Sequence, residues 1–200
     1  MTTATEAPDT PETIARRAWR RTVWVALAGA VVGAVFGVVL ERLGAGPGRL
    51  LVIVGCTAAV GGLSGAFSLL ATSLRLSPQM QAPLAGLSRF GRKTLSQAIA
   101  KQAPIEPADS DLARRAFDLA RLRAVYQPIA IGQFLLLYLG IAGPQLPNLV
   151  GDDPFSAVFS RILCGTLLVA AVVFTPLFLH QSRSCRRYVQ AATEAAARQP

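Results

Sequence analysis

Thr22 to Leu40 and Leu50 to Thr72 are two apolar runs without a charged residue, joined by the short glycine-rich stretch from Glu41 to Arg49. A bilayer core about 30 Å thick is crossed by roughly 20 apolar residues at 1.5 Å rise, so each run is long enough to span it. Two further blocks, Val125 to Ala142 and Ile162 to His180, are of comparable length. In hydrocarbon the backbone N–H and C=O groups have no water to bond, which makes the helix the natural fold of such blocks. The expected class is therefore all-α: a polytopic integral membrane protein with four transmembrane helices arranged as two hairpins, plus amphipathic cytoplasmic helices. Ten Val, Leu and Phe residues in the first block favour insertion by roughly −3 to −6 kcal/mol, with no charge opposing them. The third block contains Gln127, Pro128 and Gln133 and is expected to depend on its neighbours.

The net charge of +9 would suit a nucleic-acid binder, but the cations are not spread evenly. Of twenty Lys and Arg, seventeen lie before the first block, between the second and third, or after the fourth; Arg42, Arg49 and Arg161 are the others. By the positive-inside rule both termini and residues 73–124 are cytoplasmic. The charge then reads as topology and as contact with anionic inner-leaflet lipids, and no nucleic acid is expected. Eighteen Arg against two Lys, with abundant Ala and Gly, suits a GC-rich bacterial genome, so the expected location is the bacterial plasma (inner) membrane. Cys56 and Cys164 fall inside spans and Cys185 on the reducing side, which indicates neither a disulfide framework nor a zinc site.

The expected organisation runs as follows: a disordered segment over 1–9, a basic juxtamembrane helix over 10–21, a first transmembrane hairpin over 22–72, a cytoplasmic helical loop over 73–124, a second hairpin over 125–180 and a cytoplasmic helical tail over 181–200. Thr10 and Pro11 form a helix-start signal. The twin arginines Arg16 and Arg17 before an apolar run raise an export signal, but the run exceeds a signal core and no small-x-small site precedes Glu41. Trp19 and Trp24 read as interfacial anchors. Leu87, Leu95, Ala98 and Ile99 gather on one side of a segment from Leu84 to Lys101, opposite Arg89, Arg92 and Lys93. That pattern suits a basic helix lying on the inner leaflet, with those three cations touching anionic lipid. Asp109 or Ser110 caps a second helix carrying Leu112, Ala116, Leu119 and Ala120 on one face. Asp153-Pro154 restarts a helix before the fourth span, where Arg161 is expected to snorkel to head groups. Each hairpin follows an Ala-Arg pair, Ala15-Arg16 and Ala120-Arg121, but any four-span chain with both termini inside contains two such hairpins, so this does not establish a duplication.

Small residues mark the packing faces. Gly29, Gly33 and Gly37 recur every fourth residue in the first span; Ala58, Gly61, Gly62 and Gly65 do so more broadly in the second, which is expected to be the central helix. Lipid tails are as apolar as leucine, so helices associate in the membrane through the close backbone approach that small residues allow.

Candidate chemistry is sparse. Gly62-Leu63-Ser64-Gly65 resembles the serine motif of rhomboid intramembrane proteases over four residues. That resemblance implies at least six spans and an intramembrane histidine, against four spans here and His180 at the end of the last. Its structural alternative is a small residue in a packing seam whose hydroxyl bonds its own helix. Gly86 to Thr94 is one insertion away from a phosphate-binding loop but lacks the preceding strand. Gly44 to Gly48 reads as a connector, and Asp152-Asp153 as a solvated helix start. Gln133, with Ser64 and Ser68, is a candidate polar lining or a set of interhelical bonds. No buried charge accompanies them, which argues against coupled transport. No catalytic, cofactor-binding or metal-binding residue is expected, and the chain is not expected to be an enzyme. It reads as a structural or accessory membrane subunit, a homo-oligomer or part of a membrane complex assembled through its glycine faces. The alternative is a small channel or uncoupled transporter formed by oligomerisation.

Overall fold

A computed structural model describes residues 11–43, 49–107 and 110–197. The sequence readings for 1–9, Thr10, the 44–48 connector, Asp109 and the last three residues lie outside the described residues. The described chain is helical: α1 (Pro11–Leu43), α2 (Arg49–Gln81), α3 (Arg89–Lys101), α4 (Asp111–Ala142) and α5 (Pro154–Ala197), with single 3-10 turns at Ala82–Leu84, Gly143–Gln145 and Pro147–Val150. Four of these helices, α1, α2, α4 and α5, are long and apolar enough to cross a membrane.

The long helices stand in a row, each packed against the next in the order α1, α2, α4, α5. Against α1, Gly29 lies beside Val60 and Ser64 of α2, Gly33 beside Cys56 and Thr57, and Gly37 beside Ile53, so the two run antiparallel. The opposite side of α2 meets α4 and the turn after it: Gly62 lies on Leu136 and Gly140, and Gly55 on Gly143. α2 therefore has backbone contact on two sides. A Cβ at Gly62 would sit 2.6 Å from both the Gly140 N and the Leu136 O, and one at Gly37 would sit 2.7 Å from Ile53 Cα. These separations admit no side chain, which is the physical use of glycine here.

The helices outrun the expected spans. α2 continues past Thr72 to Gln81 with Pro78 in its last turn, and the chain reverses only at Gly86, whose φ of +73° is open to glycine at no steric cost. Ser88 then caps α3 by accepting from the Gly91 N–H, and Gln102 ends it in the left-handed conformation. Ser110 caps α4 by accepting from Ala113 N–H, and α4 passes through Pro128 without a break. Arg115, paired with Asp111 at 2.8 Å, donates to the Ala85 carbonyl at 2.7 Å and so fastens the turn after α2 to the start of α4.

At the end of the row that carries the start of α1, a separate core forms. Leu95 and Ile99 of α3, Ala116, Leu119 and Ala120 of α4, and Cys185 and Tyr188 of α5 bury one another, with Leu87, Ala98, Leu112, Val189 and Ala192 around them. Two expectations change here. The apolar side of α3 is covered by α4 and α5 and is not left to meet a leaflet. The tail after His180, which the sequence alone reads as projecting into the cytoplasm, is packed instead, because Tyr188 is 1 % exposed inside this cap. Three short apolar stripes bury more surface on one another than any one of them could hide alone.

Candidate functional site

α4 and α5 are tied at their two ends. At the end away from the cap, the buried Ser160 hydroxyl donates to Gln145 Oε1 at 2.9 Å, Arg161 donates to the Leu149 carbonyl at 3.2 Å, and Asp153 caps α5 by accepting from the Ser156 N–H at 3.0 Å and from its hydroxyl. Those bonds hold the Asp153 carboxyl below its usual pKa, the Ser156 hydroxyl first and its N–H second. At the cap end Gln127 Nε2 donates to Gln181 Oε1 at 3.0 Å.

Between these ties aromatic rings hold the helices apart. Phe134 and Phe178 stack with centroids 6.0 Å apart and planes 13° from parallel, and Phe174 tilts against Phe178 at 6.3 Å. Gly165 has nothing within 4 Å of where a Cβ would stand. None of the most apolar part of α5 is buried. The rings leave an apolar cavity of about 150 Å³ walled by Ile131, Leu135 and Tyr138 of α4 and by Ala171, Phe174 and Thr175 of α5. Phe178 also borders a second cavity of about 550 Å³ on the cap side, where Arg123, Gln127, His180, Gln181, Ser184 and Ser96 supply polar groups. The two adjoin at Phe178 along the cleft between α4 and α5, which is greasy toward mid-span and polar where α3 closes over it. No carboxylate lines it among the described residues.

One polar atom in this cleft is unsatisfied: Gln127 Oε1 is buried with no hydrogen-bond partner. Such an atom typically costs about 1–3 kcal/mol unless something reaches it. Next to it, burial pushes the Cys185 thiol up in pKa, with Arg123 acting in the opposite direction. Burial likewise raises the Tyr188 hydroxyl, opposed by the Ile105 backbone. A further basic cavity of about 480 Å³ lies between α1, α4 and α5 and is bordered by Trp19, Arg121 and Arg186.

The residues singled out from the sequence fall elsewhere. Gly29, Gly33, Gly37, Gly61 and Gly65 lie between α1 and α2 or in the groove where Ala26 and Leu136 meet, while Ala58 and Gly62 face α4 and its following turn. These stripes are closed within one chain, so a second copy cannot use them unless α1 or α4 moves away. Ser64 donates to its own helix at Val60, Ser68 accepts from Thr22 at 3.2 Å, and Gln133 accepts from the buried Ser73 at 3.0 Å. They do not converge, and none borders the cleft. Ser64 points at Gly29 of α1 while His180 lines the α4–α5 cleft, so the rhomboid-like pair is not brought together. Arg89, Arg92 and Lys93 are exposed on the free side of α3, next to Phe90, which is 80 % exposed. Trp19 is not only an interfacial ring: its edge covers Gly132 of α4. Cys56, Cys164 and Cys185 are free thiols.

Sequence reasoning missed the contacts of Gly140 and Gly143 with Gly62 and Gly55, and the buried stripe of Cys185, Tyr188, Val189 and Ala192. The last four stand at i, i+3, i+4 and i+7, an ordinary buried-stripe signal. From sequence alone Gln127 is no more than an interruption of the third apolar block. No family model matches this chain, and neither curated proteins nor solved structures provide a match.

Proposed function

We propose that this chain is a non-catalytic structural or accessory subunit of the bacterial plasma membrane, built as two transmembrane hairpins with both termini and the basic cap in the cytoplasm. The observation that carries the reading is the cap itself. Its core is continuous with the spans through α4 and α5, so a load or a partner on the cap is coupled mechanically to the membrane part. Its outer surface is cationic, with Arg89, Arg92 and Lys93 exposed beside Phe90. That combination suits attachment to anionic head groups, with the exposed ring entering the interface.

Because the glycine stripes are occupied within the chain, a companion subunit would engage the cap or the unburied span of α5. The channel reading requires Ser64, Ser68 and Gln133 to face water, whereas their hydrogen bonds run to Val60, Thr22 and Ser73.

The test is purification of the full chain from native membrane in mild detergent, with and without charge reversal at Arg89, Arg92 and Lys93. A companion at fixed stoichiometry that is lost from the reversed variant is expected. Recovery of the same solitary species in both cases overturns the proposal. Cysteines placed at Ser64, Ser68 and Gln133 should resist a polar thiol reagent, and their labelling would turn the choice to a channel.

A further inference from the structure

We propose that the cleft between α4 and α5 holds one anionic phospholipid, its phosphoglycerol head group in the polar cavity and part of one acyl chain between the aromatic rings. The inference rests on the membrane-spanning helices and goes beyond the accessory-subunit reading, which can fail without it.

Two cavities of opposite character share one wall at Phe178. From His180 to Ala171 the cleft runs along nine residue steps of α5, about 13 Å at 1.5 Å rise, which is the reach of a head group plus the upper part of a chain. The apolar part is only about 150 Å³, far too narrow for a partner helix about 10 Å across. Phe134, Leu135 and Phe174 are all substantially exposed, so this part opens sideways to hydrocarbon and a chain can enter from the bilayer.

The polar part specifies the head group. Arg123 offers a fixed cation and no carboxylate competes for it among the lining residues, which favours a phosphate diester. Ser184 and Ser96 line the same space, although Ser184 already donates to the His180 carbonyl at 3.1 Å and Ser96 to the Lys93 carbonyl at 2.9 Å. What the protein leaves open is an acceptor: the buried Gln127 Oε1 needs a donor. A glycerol hydroxyl supplies one, whereas a choline head group has none to give. A membrane lipid and a soluble phosphate ester share the phosphate, and only the lipid uses the aromatic-lined part.

The full chain in mild detergent, examined by native mass spectrometry with phosphatidylglycerol and phosphatidylcholine of identical chains, decides the matter. One phosphatidylglycerol per chain is expected, retained about tenfold better than phosphatidylcholine, as one hydrogen bond to an otherwise unserved buried acceptor would give. Gln127→Leu should abolish that preference, and Arg123→Gln should lower retention of both lipids, because both carry the phosphate. Ala171→Trp, which fills the apolar part, should lower retention of both lipids, and it keeps the proposal testable if the Arg123 variant does not fold. Equal retention of the two lipids, an unaltered preference in Gln127→Leu, or competition by glycerol 1-phosphate as strong as by the lipid would each overturn the proposal.

Discussion

The slab formed by α1, α2 and α4 and the seam between α4 and α5 face the same difficulty with opposite side chains. In hydrocarbon no apolar surface is gained by bringing helices together, so attraction comes from dispersion and from hydrogen bonds. The slab maximises dispersion by removing side chains: glycine meets backbone at Gly33, Gly55, Gly62 and Gly143. The seam keeps its rings, is bonded only near its ends, and leaves a cleft between. A dry glycine contact specifies one arrangement of two helices and admits no guest. Aromatic spacers hold a distance, and the space they hold open is available to a ligand or to motion.

The sharpest way to break the comparison is to put the same bulk on each side. Gly62→Leu places a side chain where a Cβ would already lie 2.6 Å from two backbone atoms of α4. Backbone cannot step aside as a flexible side chain does. The expected cost is about 4 kcal/mol or more, above the usual range for overpacking. Gly165→Leu on α5 meets open space and should stay within about 0.5 kcal/mol of the parent. Thermal unfolding of both variants in the same detergent measures the contrast, and similar losses in the two would end it.

A second, smaller effect separates the cap from the spans. Tyr188→Ala empties the centre of the cap core, and the expected loss is about 3 kcal/mol, at the low end for a large ring because the residue borders a cavity into which its neighbours can relax. Protease should then cut near α3 while the span helices remain protected. If cutting is no faster than in the parent, the cap is not held by this ring.

How much of this was legible in the sequence depends on what each residue's partner was. Helix positions followed from the length and polarity of the apolar blocks, since the bilayer imposes them. The stripe Leu87, Leu95, Ala98 and Ile99 was equally legible, but its partner was not. A stripe records that something apolar covers it; lipid and another helix leave the same pattern. Pairing it with the stripe through Cys185 and Tyr188 required noticing that two short apolar faces lie at the same end of the row of long helices. Glycine spacing had the same limit, because a small-residue face serves equally for a neighbour in the same chain or in another one. The cleft was least legible of all: Arg123, Gln127, Phe178 and His180 belong to two helices far apart in sequence, and Gln127 stands out only once its oxygen is seen to lack a donor.

The pH response should distinguish the cap from the spans more gently. Cys185 and Tyr188 both have folded-state pKa values raised mainly by burial. A raised value means that stability is full below the unfolded pKa and is lost as pH climbs through the folded one. The cap should therefore be indifferent to these groups up to about pH 8.5, the ordinary thiol value, and weaken above it, with a second decline beyond about pH 10. Hydrogen exchange of α3 followed against pH reads this directly. Cys185→Ala should remove the first decline and Tyr188→Phe the second; a cap that strengthens in alkali contradicts the assignment.

The smallest expected effect returns to the slab and tests whether its polar bonds matter beside its glycines. Ser73, 5 % exposed, donates to Gln133 Oε1 across α2 and α4. Removing the donor in Ser73→Ala leaves that oxygen unserved, but interhelical bonds in membranes average only about 0.6 kcal/mol. A loss of about 0.6–1 kcal/mol is expected, several times less than from Gly62→Leu. Gln133→Leu added to Ser73→Ala should recover part of it, because an orphaned acceptor is then replaced by apolar contact. A double-mutant cycle in one detergent measures the pair. If Ser73→Ala cost as much as Gly62→Leu, the slab would be held by its hydrogen bonds, and the contrast between glycine contact and aromatic spacing would not explain why one side is closed and the other open.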